Sequence, residues 1–182
     1  ASIIKLLDLE SGAKVLDFGC GTGELAEAVV RRYPGSEITG LDVSDQVIAV
    51  ARETLRNHDN IELICGEIDT VPLTLGNYDI ILCVTFLQHI DPTKLPLIFS
   101  RFSELLRPGG RMIVLENVYR SNRANDYINT TFDENTWREM FTAEGFQLDK
   151  VTSYPHWGAI AVESILPMMR RLRERLKSNE SV

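Results

Sequence analysis

The segment Val15-Leu-Asp-Phe-Gly-Cys-Gly-Thr-Gly23 constrains the fold more than any other part of the chain. Lys14 to Phe18 is a short, mostly apolar run of strand type, and it enters a turn with glycine at every second position. Alternate glycines permit left-handed backbone and close approach by a ligand. Glu24 to Arg32 then reads as a helix stopped by Pro34-Gly35, and its first turn points free N–H groups into the space above the glycines. A strand, a glycine loop and a helix in this order predict a nucleotide-type site at the carboxyl end of a parallel sheet.

The rest of the chain continues the alternation. Strands are expected at Glu37–Leu41, finishing at Asp42, at Ile61–Cys65, at Tyr78–Val84 and at Arg111–Leu115. Tyr78–Val84 is almost wholly apolar, as a strand buried on both faces should be. Helices are expected at Asp45–Arg56, with Ser44 as its N-cap, and at Thr93–Leu106, where Pro96 is tolerable only in the first turn. Asn117–Thr131 is polar and reads as a loop, Glu134–Glu144 as a helix ended by Gly145, and Phe146–Tyr154 and Trp157–Val162 as two closing strands. Together these predict a doubly wound, mostly parallel seven-stranded α/β sheet with helices on both faces and an antiparallel last strand. Residues 1–163 would form this domain and residues 164–182 a C-terminal amphipathic helix, Ser164 to Lys177, with a tail.

The spacing narrows the ligand. A dinucleotide fingerprint places a third glycine where this chain has Glu24, and a carboxylate in the first helical turn repels a pyrophosphate seated there. The phosphate loop with its Gly-Lys-Ser/Thr ending is also absent. An adenosine ligand without phosphates fits best, and Asp42, roughly 20 residues after the loop, stands where a ribose carboxylate belongs.

VLDFGCGTG resembles the first motif of class I S-adenosylmethionine-dependent methyltransferases. The resemblance continues in order through Asp42, Gly66-Glu-Ile68, Tyr78-Asp79 to His89, and Leu105-Leu-Arg-Pro-Gly-Gly110. It implies S-adenosyl-L-methionine as cofactor, with Asp17 and the backbone of Gly19, Cys20, Gly21 and Gly23 at its methionine end. It implies Asp42 at the ribose hydroxyls and Glu67 at the adenine amino group, with Val43, Ile68 and the main chain of Cys83 also at the cofactor. Glu67 stands where Asp is commoner in the family. Carboxylates beside the glycines suit a ligand carrying an ammonium and a sulfonium.

Methyl transfer from a sulfonium needs a base only when the acceptor must lose a proton. His89, in Leu87-Gln-His-Ile-Asp91, follows the fourth strand, and imidazole suits a general base near neutrality. It reads first as shaping the cofactor pocket or the helix start, and second as a catalytic base. His156, in the connection between the closing strands, is a weaker candidate, and His58 reads as a surface residue. The Asn/Asp-Pro-Pro-Tyr segment of enzymes that methylate amino groups of bases or glutamine is replaced here by Cys83-Val-Thr-Phe86. Asp79, Asp91 and Glu116 have no metal-type spacing, so no metal is expected.

The acceptor side is less legible. Glu116 to Tyr127 follows the fifth strand and supplies amides, two arginines and two tyrosines, which reads equally as contact with a polar acceptor, such as a saccharide or an anionic metabolite methylated at oxygen, and as a solvated loop. Arg120, Arg123 and Tyr127 are the contacts proposed from it. Alternatives are a protein or RNA acceptor, or a binding module without activity. A net charge of −7 argues against DNA or RNA held through phosphates. Only Arg170 to Lys177 offers a basic patch, a solvated face before it is a membrane contact. About a dozen residues precede the first strand, whereas many relatives carry lid helices there. A chain beginning at Ala reads as a trimmed or excised piece, and either lid residues have been removed or a partner chain or another domain supplies the lid, with Met168, Met169, Leu172 and Leu176 as a docking stripe or simply core. No secretory signal or membrane-spanning run is visible, and three cysteines without pairing or zinc spacing suit a reducing cytoplasm.

Overall fold

In this computed structural model the described residues are 3–117, 123–125, 129–154 and 159–165. The chain alternates β1 (Lys14–Phe18), α1 (Glu24–Arg32), β2 (Glu37–Asp42), α2 (Asp45–Thr54), β3 (Ile61–Cys65) and β4 (Tyr78–Val84). It continues with α3 (Leu95–Leu105), β5 (Leu106–Asn117), β6 (Arg123–Asn125), β7 (Asn129–Thr131), α4 (Glu134–Ala143), β8 (Gln147–Tyr154) and β9 (Ala159–Ile165). The main sheet has the order β3-β2-β1-β4-β5-β9-β8. The first five strands run parallel, as expected of the doubly wound α/β design. β9 pairs antiparallel with β5 and with β8.

The period of two along β1 divides the interior. Leu16 and Phe18 enter a core shared with Phe99, Phe102 and Leu105 of α3 and with Trp137 and Phe141 of α4. Val15 faces the opposite side, where Ala26, Val29 and Val30 of α1 pack with Leu55 beyond α2. Helices thus cover both faces, and the sheet ends are left to carry chemistry. Ser44 caps α2 as anticipated, its hydroxyl accepting the Val47 N–H at 3.3 Å.

Several boundaries differ from the sequence expectation. α3 starts at Leu95 after a short 3-10 turn, Pro92–Lys94, in which Asp91 takes the capping role. β5 begins at Leu106 rather than Arg111, because Leu106 pairs with Tyr78 before the register breaks and resumes at Arg111 opposite Ile80. The polar stretch expected to be a loop contains the antiparallel pair β6–β7, whose backbone bonds need no apolar face. β9 runs through Ser164 and Ile165, opposite Met112 and Arg111. The expected C-terminal helix therefore does not start at Ser164, and its remainder, with the basic patch and methionine stripe, lies outside the described residues. His156, Arg120 and Tyr127 also lie outside them. Among the described residues no helix is long and apolar enough to cross a membrane.

Candidate cofactor site at the carboxyl ends of β1, β2 and β4

β1 delivers Asp17 into the interior, 2% exposed, with Oδ2 lacking any hydrogen-bond partner among the described residues. Burial, reinforced by the neighbouring Asp42, pushes its carboxyl from the ordinary 3.8 up to about 7. β2 ends at Asp42, whose two oxygens accept the N–H groups of Gly21 (3.1 Å) and Ser44 (3.0 Å). The glycine loop is tied to the same strand, since Leu41 O accepts from both Gly19 N–H (2.8 Å) and Cys20 N–H (3.1 Å). The result is a rigid loop with two carboxylates beneath it.

The glycines divide by role. Gly19 has φ +75, and a Cβ there would lie 2.2 Å from Cγ of Phe86, so its bareness admits that ring. Gly21 has φ +55 with nothing within 4 Å of a Cβ position, leaving a cradle open to a ligand. Gly23, by contrast, faces Leu55 and Ala51 and serves the packing of α1 on α2. Cys20 approaches Gly40 of β2, its thiol pushed up to about 12 by burial and then by Asp17 and Asp42. Cys83 at the end of β4 is fully buried, its thiol raised by burial and then by Glu116 and Asp17. Neither thiol is a nucleophile near neutrality.

Beside the loop is a cavity of about 360 Å³ whose walls include Phe18, Val43, Ile68, Phe86, Ile90 and Leu97. Glu67 and His89 stand at it as well. Val43, Glu67 and Ile68 of the expected cofactor residues therefore meet around one largely apolar space that Asp42 does not line, with Val43 58% exposed and available to a flat ring. Phe86 meets Phe18 edge-on at 5.0 Å, and both rings line this cavity. The described residues fit the cationic adenosyl cofactor: a carboxylate oxygen without a donor, a second carboxylate next to it, an open glycine cradle and an apolar slot.

His89 is exposed, and Nε2 of Gln88 approaches its Nε2 at 3.3 Å. The same Gln88 nitrogen reaches the carbonyl of Thr85 at 3.4 Å. The roles in the Gln88–His89 contact follow the imidazole tautomer.

Two residues were missed as site components. Phe86 carries no motif signature. Glu116 was weighed only as a metal ligand or the start of a loop, yet it is fully buried at the end of β5 and binds the turn after β4. Its signal was a carboxylate directly following the apolar run Met112 to Leu115. Asp79, the third acid of that set, lies at the opposite end of β4, where it accepts the Lys14 N–H at 2.7 Å and pairs with Arg107. Among the described residues no group of His, Cys, Asp and Glu could hold a metal ion.

A family model described as a methyltransferase domain matches residues 15–110. The ubiquinone biosynthesis O-methyltransferase of Idiomarina loihiensis is 35% identical over 103 residues, covering 56% of this chain and 41% of that protein. The chain thus spans about two fifths of that relative's length. A solved S-adenosylmethionine-dependent methyltransferase from Methanosarcina mazei superposes with a TM-score of 0.77 at 16% identity, covering 92% of this chain and 98% of that one. A chain of the complex between the Haloferax volcanii Trm112 methyltransferase activator and a putative methyltransferase has a TM-score of 0.78 at 19% identity, with coverage of 90% and 87%. At these identities the solved structures establish a shared Rossmann-like fold.

Proposed function

The chain belongs to the S-adenosylmethionine-dependent methyltransferase family, and from that we propose that it moves a methyl group from S-adenosylmethionine to an oxygen of a small, polar or saccharide-like acceptor. The observation that carries the cofactor half is the buried Asp17 carboxylate with one oxygen lacking a donor, set beside Asp42 under an open glycine cradle. A buried anion without a partner is costly unless a cation completes it. Oxygen as the methylated atom is supported by the relative named as an O-methyltransferase and by the absence of the Asn/Asp-Pro-Pro-Tyr segment. The saccharide-like acceptor rests on the composition of residues 116–127 alone.

The cofactor, when bound, supplies a methyl group already activated by a sulfonium leaving group. Asp17 draws the ammonium end into the sheet, and the Gly19–Gly21 backbone fixes its height. Asp42, oriented by two main-chain N–H groups, presents its carboxylate to the ribose hydroxyls. Val43 and Ile68 form apolar walls for the adenine, Glu67 accepts from its amino group, and the main chain of Cys83 lines the methionine end. Phe18 and Phe86 give the cavity an apolar wall beside the glycine loop. Positioning and desolvation account for rate without a base.

Further readings belong to the same proposal. The sheet is taken as the seven-stranded form with β9 its antiparallel member. A partner chain is part of the reading, supported by the fold neighbour taken from a complex between a Trm112 methyltransferase activator and a putative methyltransferase. A reducing cytoplasm suits three free cysteines.

Calorimetric titration with S-adenosylmethionine, adenosylhomocysteine and NAD tests the cofactor. Binding of the two adenosyl compounds and not NAD is expected, and the reverse pattern sinks the assignment. Turnover against hydroxylated small molecules, peptides and RNA then separates the acceptor classes, and binding without turnover on any of them identifies a non-catalytic module. His89→Asn should change KM more than kcat if His89 shapes the pocket. A selective loss of kcat restored at high pH would make it the base.

A further inference from the structure

β4 ends in a turn that its own backbone does not favour. Thr85 has φ +51, the one non-glycine residue with positive φ among those described, and such a conformation in a β-branched residue persists only when its surroundings hold it. The holding groups all come from the end of β5 and from the turn itself. Leu115 O accepts the Thr85 N–H at 2.7 Å. A single oxygen of Glu116, Oε1, accepts the N–H groups of both Phe86 (2.9 Å) and Leu87 (2.8 Å). Gln88 closes the turn by donating to Thr85 O.

Glu116 is 0% exposed and its other oxygen has no partner among the described residues. Burial raises its carboxyl from 4.5 to about 7, against the pull of the Leu87, Phe86 and Gln88 amides. An apolar residue at a strand end avoids this cost. What the carboxylate holds in place explains its presence. The turn carries Phe86, whose ring fills the space at Gly19 and packs edge-on against Phe18, and it carries His89 at the cavity wall. Glu116 is absent from that wall, and its hydrogen bonds go to the turn.

We propose that Glu116 is a positioning residue for the cofactor pocket: by gripping the Phe86 and Leu87 amides it fixes the Phe86 ring against Gly19 and Phe18 and so sets the wall of the cavity beside the glycine loop. The inference rests on the cofactor reading above for its functional consequence, and on the described hydrogen bonds alone for its structural one.

The test compares the parent chain with Glu116→Gln, Glu116→Ala, Phe86→Ala and the Glu116→Gln/Phe86→Ala double variant. Amide hydrogen exchange in the ligand-free protein should accelerate about tenfold or more at Phe86 and Leu87 in Glu116→Ala, and less in Glu116→Gln, which keeps an acceptor. Exchange at Val15 and Leu16 in β1 should stay unchanged. The calorimetric dissociation constant for adenosylhomocysteine should rise about tenfold in Glu116→Ala and by a smaller factor in Glu116→Gln. In the Phe86→Ala background Glu116→Gln should add less than about twofold, because the two act on one path. Unchanged exchange at Phe86 and Leu87, or losses that multiply independently in the double variant, overturns the proposal. If Glu116→Ala does not fold, Glu116→Gln decides both readouts. If the parent itself fails to bind adenosylhomocysteine, the cofactor reading falls, and the exchange measurement still decides whether Glu116 holds the turn.

Discussion

Replacing Asp17 by Asn should make the ligand-free protein more stable above neutral pH while weakening its grip on the cofactor. The folded state holds the Asp17 carboxyl near 7 against an ordinary 3.8, so once ionised this group costs the fold about 4 kcal/mol at 1.36 kcal/mol per pH unit. The folded state therefore keeps a proton that the unfolded chain has already released. This contribution is complete below 3.8 and is lost as pH rises through about 7. Glu116, raised from 4.5 to about 7, acts with the same sign. Between pH 5 and pH 8 each group removes about 2.5 kcal/mol by linkage, so the parent should lose roughly 5 kcal/mol and Asp17→Asn about half of that. The carboxyls held low, Asp91 and Asp133, titrate below this window. Urea unfolding of both proteins at pH 5, 6, 7 and 8, at fixed ionic strength and without cofactor, measures the two slopes. Adenosylhomocysteine binding by the variant should fall roughly ten- to a hundredfold, the value of a charge-assisted hydrogen bond. A parent whose stability is flat or rises from pH 5 to 8, or a variant with the parent's slope, refutes the reasoning.

Two further outcomes follow from the same geometry. Gly19→Ala must place a Cβ 2.2 Å from Phe86 at φ +75 and should cost about 2–4 kcal/mol of stability. Gly21→Ala at φ +55 meets open space and should cost only about 1–2 kcal/mol while still filling the ligand cradle. Matched thermal melts and adenosylhomocysteine titrations check the contrast, and equal melting losses would count against it. Cofactor binding at pH 6 should release up to about one proton, because a cation at Asp17 favours its ionised form, with the release fading by pH 8. Calorimetry in buffers of differing ionisation enthalpy reads this directly, and Asp17→Asn should abolish most of it.

Much of the architecture was legible because the strands near the site are buried on both faces. β1 and β4 were read at their observed bounds from apolar runs, and the glycine loop marked the carboxyl end of the sheet. Where pairing rather than burial decides structure, the pattern was silent. β6 and β7 are polar segments joined by backbone bonds, and the last two residues of β9 enter the sheet by pairing with Arg111 and Met112 of β5 and with Gln147 and Leu148 of β8. At the site, the residue types that approach a cofactor carried the signal. Gly23 and Cys20 matched the motif yet face helix and strand packing, because a turn this tight needs small residues on both of its sides. Phe86 and Glu116 act on the pocket through contacts between distant segments, and no spacing within either segment encodes that.

The buried acids of this sheet share one physical logic. Asp42, Asp17 and Glu116 end β2, β1 and β5, three strands of one parallel layer with β4 between the last two. Asp42 is satisfied by main-chain N–H groups on both oxygens, and Glu116 by two on one oxygen. Oδ2 of Asp17 has none among the described residues, and neither does Oε2 of Glu116. A donor supplied by the fold fixes a side chain, as for Asp42 and Glu116, and the orphaned oxygen of Asp17, close to Asp42 and the glycine loop it holds, keeps a lone pair for a ligand. A pocket selected only for stability would give Asp17 a partner or replace it with an apolar residue. Keeping an anion unfinished at the centre of the row destabilises the free protein above neutral pH and makes cation binding the step that restores it. The stability lost in the empty state is therefore recovered as affinity, and the pH slope and the proton release should disappear together in Asp17→Asn.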